Sequence, residues 1–267
     1  MNHRKAILIL NSYQTGIEEK SQIIDLDPRS LLITTLIYII CILSLPIEIP
    51  EKLIWFAAYP IIMAPISGIN YISIFLKSLY VLPFIVLIGL ANPIYDKRAA
   101  FEIGGVVISY GWLSFLTIIL RGLLSMQALI ILIRNSGFIG ICNALNRMRV
   151  PKILTTQLLL LYRYMGLLIE EAFSMHRAIS SRGYGKKSFP IKMWVTVVGS
   201  LLIRTYERSK RIYDAMLSRG FNGQIPLGEN HKLHSADFIF CAMWTLLFLF
   251  LTFFNVGQFL FPSNSIL

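Results

Sequence analysis

Acidic side chains are scarce in this sequence: its 267 residues include 14 Asp and Glu against 25 Lys and Arg. Only 15% of the residues are charged, whereas 55% are hydrophobic, and the mean hydropathy is +0.65. A soluble globular domain of this length does not need so much apolar surface. The composition therefore indicates a membrane-embedded protein whose net charge of +11 is concentrated in part of the chain.

Cysteines and catalytic motifs are also scarce. Cys41, Cys142 and Cys241 lie far apart without C-x-x-C spacing, which argues against a disulfide framework or a zinc site. His231 and His234 are three residues apart but lack the further ligands that zinc requires. The phosphate-binding pattern G-x-x-x-x-G-K-[ST] does not occur, so any ATPase must be another chain. We predict no catalytic residues, metal or cofactor, and hence a protein that is not an enzyme.

The positive charge is concentrated between Arg147 and Gly220. This interval holds 14 of the 25 Lys and Arg residues and only four acids, a net charge of +10. Positively charged loops of membrane proteins favour the cytoplasmic side. Membrane spans on both sides would tether this region, so we expect membrane lipid and not nucleic acid to be its neighbour.

Long apolar segments predict an all-α, polytopic protein of the cell membrane with about five transmembrane helices. The fourth segment would form a helix of roughly 46 Å, longer than the hydrocarbon core of about 30 Å. It could be one tilted helix that projects into the cytoplasm or two shorter pieces, and we favour the projecting helix. Its Arg121 is expected to face a polar interior or to lie near the membrane interface. The predicted spans are residues 31–45, 53–69, 72–91, 103–133 and 236–254. The predicted regions are 1–133 (N-terminal tail and four spans), 134–235 (cytoplasmic helices) and 236–267 (last span and C-terminal tail).

Two stretches within the basic region have the pattern of amphipathic helices. In residues 157–181, Arg163, Glu170 and Arg177 recur every seven residues and share one polar stripe. In residues 194–220, Arg208 and Arg211 belong to a similar charged side. Because the charges recur along both stretches, we predict helices that lie at the membrane surface or pack against a partner.

Each amphipathic stretch ends in the same tripeptide, Ser181-Arg182-Gly183 and Ser218-Arg219-Gly220. Glycine commonly ends a helix, and a cation in the last turn suits the helix dipole. One copy would be an ordinary helix end. Two copies, within segments 178–184 and 215–221 that align without a gap, suit docking of two arginines into grooves on a two-fold or pseudo-two-fold partner.

With these motifs the chain resembles the T component of energy-coupling-factor (ECF) transporters, ATP-driven importers of vitamins and transition-metal ions. That family has two Ala-Arg-Gly motifs at the ends of cytoplasmic coupling helices, and here serine replaces both alanines. Segments 26–29, 143–151 and 162–171 also resemble the family. Segment 215–226 is most similar to its cobalt/nickel branch, the CbiQ type.

The resemblance implies a transmembrane coupling subunit that carries ATP-driven motion from a dimer of CbiO-like ATPases to a separate CbiM- or NikM-like substrate-binding membrane subunit. Arg182 and Arg219 would dock into the ATPases. The neighbouring serines and glycines would shape the two helix ends that carry these arginines, which we call the first tip (181–183) and the second tip (218–220). The expected substrate is cobalt or nickel. The residues implied as docking are Ser181, Arg182, Gly183, Ser218, Arg219 and Gly220, and those that support the coupling helices are Arg163, Glu170, Arg177, Arg208 and Arg211.

Other functions remain open at this point. A vitamin-type T component would have the same architecture. A self-contained carrier should show inverted repeats and polar residues at mid-span, a requirement that only Arg121 approaches. A membrane enzyme should bring polar catalytic groups together at one membrane depth. The duplicated arginine tips favour the coupling function over both.

Overall fold

The computed structural model of the chain describes residues 26–46, 51–96, 98–103, 106–182, 191–225 and 234–253. These segments are overwhelmingly helical, and the predicted all-α membrane architecture is confirmed. The helices are α1 (Pro28–Ser44), α2 (Glu51–Phe56), α3 (Ala58–Ile66), α4 (Tyr71–Ser78), α5 (Leu82–Gly89), α6 (Ala91–Tyr95), α7 (Tyr110–Arg147), α8 (Lys152–Arg182), α9 (Ile191–Ser218) and α10 (Ser235–Phe253). A 3-10 turn, Leu79–Val81, joins α4 to α5.

The chain divides into two compact units. We call the described residues of 20–144 and 230–267 the membrane unit, and the described residues of 145–229 the basic unit. The chain thus leaves the membrane unit after Ala144 and returns to it at Asn230.

Several helical segments are long and apolar enough to cross a membrane. Three of them have a mean hydropathy of 2.0 to 2.2, whereas Lys152–Ser181 reaches only 1.2. Lys152–Ser181 is also the segment with the recurring charges that indicate a surface helix. The four segments are Tyr71–Tyr95, Tyr110–Arg147, Lys152–Ser181 and Ser235–Phe253, and the shorter apolar helices are Pro28–Ser44 and Lys52–Ile66. The protein is therefore a multi-pass membrane protein.

The core of the membrane unit lies between α1 and α10, which run parallel. Asp27 contacts Asp237 at their beginnings, and Tyr38 contacts Phe248 further along. Tyr38 is fully buried, and its hydroxyl donates a 2.9 Å hydrogen bond to the carbonyl oxygen of Phe56. Because a buried hydroxyl is costly without a partner, this bond accounts for a tyrosine at that position. The rings of Tyr38, Phe56, Tyr59, Trp244 and Phe248 form a single aromatic cluster.

The polar surroundings expected for Arg121 are the C-terminal end of α1. The Nη2 atom of Arg121 donates to the carbonyl oxygen of Leu45 at 2.8 Å, and Nη1 donates to that of Leu43 at 3.4 Å. The last carbonyls of a helix have no partner within the helix, and a cation suits the negative end of the helix dipole. Arg121 therefore ties α1 to α7 within the membrane unit.

The fourth apolar segment differs from its predicted form. Its first residues belong to an antiparallel hairpin of β1 (Ala99–Ile103) and β2 (Val106–Ser109), and the helix begins only at Tyr110. Helix α7 then extends to Arg147 and is interrupted at Gly137, where φ is 62° and ψ is 169°. Glycine adopts this backbone conformation readily, whereas residues with a Cβ atom do so at high cost. Helix α7 therefore consists of two pieces, and its break lies beyond the predicted segment 103–133, within which a single helical piece begins at Tyr110.

Candidate functional site

Helices α8 and α9 of the basic unit run in opposite directions. At one end, Nζ of Lys152 donates a 3.0 Å hydrogen bond to Oε1 of Gln224. At the other end, the rings of His176 and Trp194 lie 6.0 Å apart. The end of α8 is therefore close to the beginning of α9, and the end of α9 is close to the beginning of α8. Ser181-Arg182 and Ser218-Arg219-Gly220 consequently lie at opposite ends of this helix pair, separated by about the 40 Å length of a 28-residue helix.

The second tip is a helix end of defined geometry. The backbone N–H of Gly220 donates to the carbonyl oxygen of Leu217 at 2.9 Å, and that of Phe221 donates to Met216 at 3.0 Å. Gly220 has a φ of +80°. These two bonds and the left-handed glycine constitute a Schellman motif, which satisfies the last carbonyls of α9. The chain therefore turns sharply just after Arg219, whose side chain is exposed.

The serines of the two tips make the same hydrogen bond. Ser181 Oγ donates to the carbonyl oxygen of Arg177 at 3.0 Å, and Ser218 Oγ donates to that of Asp214 at 3.0 Å. In each case the acceptor lies four residues earlier in the same helix, a pattern typical of helical serine. Each hydroxyl is thus engaged by its own helix, so the serine presents a surface close to that of alanine.

The first tip is described only in part. Ser181 and Arg182 are the last two residues of α8, and Ser181 is exposed. Gly183 lies outside the described residues. The repeated serine hydrogen bond and the repeated position at a helix end are therefore the features that the two tips share in the structure.

The backbone conformation of Gly220 suggests a substitution that would test its predicted role. No neighbouring atom lies within 4 Å of a Cβ atom built on Gly220, so a side chain there would be opposed by the positive φ alone. We expect Gly220→Val to cost about 1–2 kcal/mol in the left-handed conformation and to displace the turn after Arg219. Capture of ATPase subunits by the tagged protein should fall at least about fivefold, the equivalent of 1 kcal/mol.

Gly199→Val is the matched control for this substitution. Gly199 lies within the same helix, and a Cβ atom there also meets nothing within 4 Å. Because the backbone at Gly199 is helical, this substitution adds the same side chain without disturbing the turn after Arg219. Equal capture by Gly220→Val and the wild-type protein would show that tip geometry does not matter.

The residues predicted to support the coupling helices fall into two groups. Arg163, Glu170 and Arg177 are exposed along α8. Arg208 and Arg211 of α9 line a small polar pocket of about 280 Å³. The two α9 arginines therefore line the same pocket, whereas the three α8 residues do not line it.

The same polar pocket contains an ion pair that the sequence analysis did not identify. Nη1 of Arg204 lies 3.3 Å from Oε1 of Glu171 and joins α9 to α8. The partners are 33 residues apart on different helices, so no helical spacing in the sequence indicates the pair. The side chain of Arg204 is 63% exposed, so the pair contributes little to stability.

An apolar groove of about 690 Å³ also lies between α8 and α9. Tyr164 and Leu168 contribute from α8, and Leu202, Tyr206 and Tyr213 from α9. Tyr206 is 70% exposed and Leu202 is 69% exposed, so large apolar side chains face outwards at this groove. Groups of this kind mark surfaces for a protein partner or for lipid.

Metal-binding clusters are not found within the described segments: no three His, Cys, Asp or Glu side chains there are grouped to hold an ion. His231 lies outside those segments. The backbone N–H of His234 donates to Oδ2 of Asp237 at 2.9 Å, and His234 lies directly before α10.

Comparison with known proteins gives a consistent result. A family model described as CbiQ, cobalt transport protein, matches residues 19–232. The chain is 26% identical over 217 residues to the uncharacterized protein MJ1571 of Methanocaldococcus jannaschii. This alignment covers 77% of this chain and 74% of that protein. It is also 31% identical over 110 residues to a candidate fused cobalt transport protein, CbiMQ, of Methanocorpusculum labreanum. This alignment covers 41% of this chain and 18% of that protein. With its multi-pass helical architecture, the chain therefore belongs to the CbiQ family of cobalt transport proteins.

Proposed function

We propose that this CbiQ-family protein is the transmembrane coupling subunit of an ECF-type ABC importer. One observation carries the proposal: Ser181-Arg182 and Ser218-Arg219, which belong to two copies of one tripeptide in the sequence, lie at the ends of long helices and at opposite ends of one antiparallel pair. A pair with a cationic tip at each end can engage two separate sites on a dimeric partner at once. The partner that fits this arrangement is a dimer of CbiO-like ATPases.

The arginines are the docking groups in this proposal. An arginine keeps its charge and presents several N–H donors in a planar fork, so it suits an acidic groove better than lysine does. At the second tip, the Schellman turn directs the chain away immediately after Arg219 and leaves that side chain exposed. Motion of the two ATPase grooves on ATP binding would then displace both ends of the α8–α9 pair.

The pair must move as one body for this displacement to reach the membrane. The Glu171–Arg204 ion pair joins the helices near their middle, and Lys152 at the beginning of α8 bonds Gln224 in the segment that follows α9. The apolar groove between them offers a surface for a second membrane protein. We assign that surface to a separate CbiM- or NikM-like subunit that binds cobalt or nickel. A relative described as a CbiMQ fusion supports this choice of partner.

The same proposal places the basic unit in the cytoplasm, next to membrane lipid. Its support is the net charge of +10 between Arg147 and Gly220, which favours the cytoplasmic side. Helices α1 and α10 run parallel, so both begin on one side of the membrane. The division into 1–133, 134–235 and 236–267 belongs to this proposal too. Arg163, Glu170, Arg177, Arg208 and Arg211 would maintain the coupling helices between the two tips.

A co-purification experiment tests this function. The tagged chain would be expressed with its native neighbouring genes, purified in mild detergent and examined by mass spectrometry. We expect recovery of an ABC ATPase and a second membrane protein, and reconstituted vesicles should accumulate cobalt only with ATP. Recovery of a stable monomer that transports cobalt alone would instead support a self-contained carrier.

A further inference from the structure

We propose that the beginnings of α1 and α10 form a junction that transmits force from the basic unit to the membrane helices. The proposal rests on the coupling function proposed above. After α1, the chain passes from the membrane unit to the basic unit after Ala144 and returns before Asn230. Within the membrane unit, the segment before the first crossing and the segment after the second both contact the beginning of α1.

The contact from α10 is made by Asp237. Oδ1 of Asp237 accepts a 2.9 Å hydrogen bond from the backbone N–H of Asp27, which precedes α1. Oδ2 accepts a 2.9 Å hydrogen bond from the backbone N–H of His234, which precedes α10. A single carboxylate therefore holds the first residues of two helices that are more than 200 positions apart in the sequence.

The electrostatics of the junction favour this arrangement. The N-terminal end of each helix carries a partial positive charge, so two parallel helices that begin side by side repel each other. Asp27 accepts from the backbone N–H of Arg29, and it is 4% exposed. Asp237 is 2% exposed. Two buried carboxylates thus compensate for two adjacent helix N-termini, and loss of either would leave donors unsatisfied in a membrane protein.

The contact from α7 is made after its break. Gly137 redirects the helix, and a Cβ atom built on Gly140 would lie 3.4 Å from Cγ of Pro28, the first residue of α1. Cys142 and Ala144, the next turn of α7, are each 1% exposed. The last residues before the basic unit are therefore packed within the membrane unit, and Gly140 is next to Pro28.

This convergence defines what the junction does. A displacement of the basic unit pulls on α7 through Leu145 and on α10 through the chain that precedes Ser235. Helix α10 meets Asp27 and helix α7 meets Pro28, two adjacent residues at the beginning of α1, so both displacements act on the same end of that helix. Asp237 is a positioning residue that makes α1 and α10 respond together. A weakened junction should let the basic unit move without the membrane helices following.

Asp237→Asn tests this inference in the complex reconstituted with its ATPases and membrane partner. An amide offers one acceptor oxygen, so either Asp27 or His234 would face an N–H₂ group instead of an acceptor. The quantity measured is cobalt imported per ATP hydrolysed by assembled complex. We expect this ratio to fall about fivefold, the scale of one lost hydrogen bond, with ATPase capture unchanged. A purely structural role would lower the amount of complex but not the ratio.

Asp96→Asn is the matched control. It changes the same atoms in a carboxylate that pairs with Arg98 at 2.9 Å outside the junction, and it should leave the ratio unchanged. If Asp237→Asn does not assemble, Gly140→Val provides a second variant, because a larger side chain would press on Pro28. A normal ratio in an assembled junction variant would overturn the inference alone. Failure of the wild-type chain to capture any ATPase would overturn the proposed function and the inference with it.

Discussion

The Arg182→Glu/Arg219→Glu variant is expected to release the ATPases while the protein still inserts into the membrane. Both positions end long helices at opposite ends of the basic unit, and Arg219 is exposed. A reversed charge in an acidic groove replaces attraction with repulsion, which costs several kcal/mol at interfaces. We expect ATPase capture and ATP-dependent cobalt uptake to fall at least about thirtyfold, the equivalent of 2 kcal/mol.

The single variants and one control separate docking from general charge. Lys210→Glu reverses one charge on the exposed surface of α9, nine residues before Arg219. It should leave capture within about twofold of wild type, since isolated surface charges contribute little. Arg182→Glu and Arg219→Glu alone should each weaken capture less than the double variant does, because each leaves one tip docked. Full capture and uptake by the double variant would exclude the docking role of both arginines.

The architecture follows from features that are visible in the sequence. Long apolar runs indicate the membrane helices. Charges that recur at helical spacing indicate the amphipathic helices α8 and α9. The end of α9 at Ser218 follows from Gly220, because the left-handed position that ends many helices favours glycine. The sequence also indicates that Arg121 needs polar partners, since an intramembrane charge is costly.

Long-range contacts could not be predicted in the same way. The position of Asp237 is that of an ordinary acidic residue in the first turn of a helix. Its Oδ1 atom, however, accepts a hydrogen bond from the backbone N–H of Asp27, 210 positions away in the sequence. Glu171 and Arg204 likewise meet only because α8 and α9 are antiparallel. The break at Gly137 falls in a segment with helical composition, and many helical glycines cause no break. One sequence without its tertiary contacts cannot distinguish these cases.

Substitution of Phe248 by alanine is expected to cause the largest loss of stability. Phe248 is fully buried at the centre of the aromatic cluster that joins α10 to α1 and α3. Its ring centroid lies 5.1 Å from that of Tyr38 and 5.5 Å from those of Tyr59 and Trp244. Removing a buried phenylalanine typically costs about 3–5 kcal/mol, because a cavity remains and its neighbours lose contacts. Unfolding by denaturing detergent in mixed micelles would measure this change.

Phe253→Ala is the appropriate comparison, because Phe253 lies on the same helix and is 80% exposed. It should cost less than about 1 kcal/mol, since the side chain has no packed surroundings to lose. Phe248→Leu should be intermediate, because it keeps most of the volume but loses the ring contacts. Equal stability of Phe248→Ala and Phe253→Ala would mean that the α1–α10 core does not hold the membrane unit together. The force-transmitting junction would then lack a stable pair of helices on which to act.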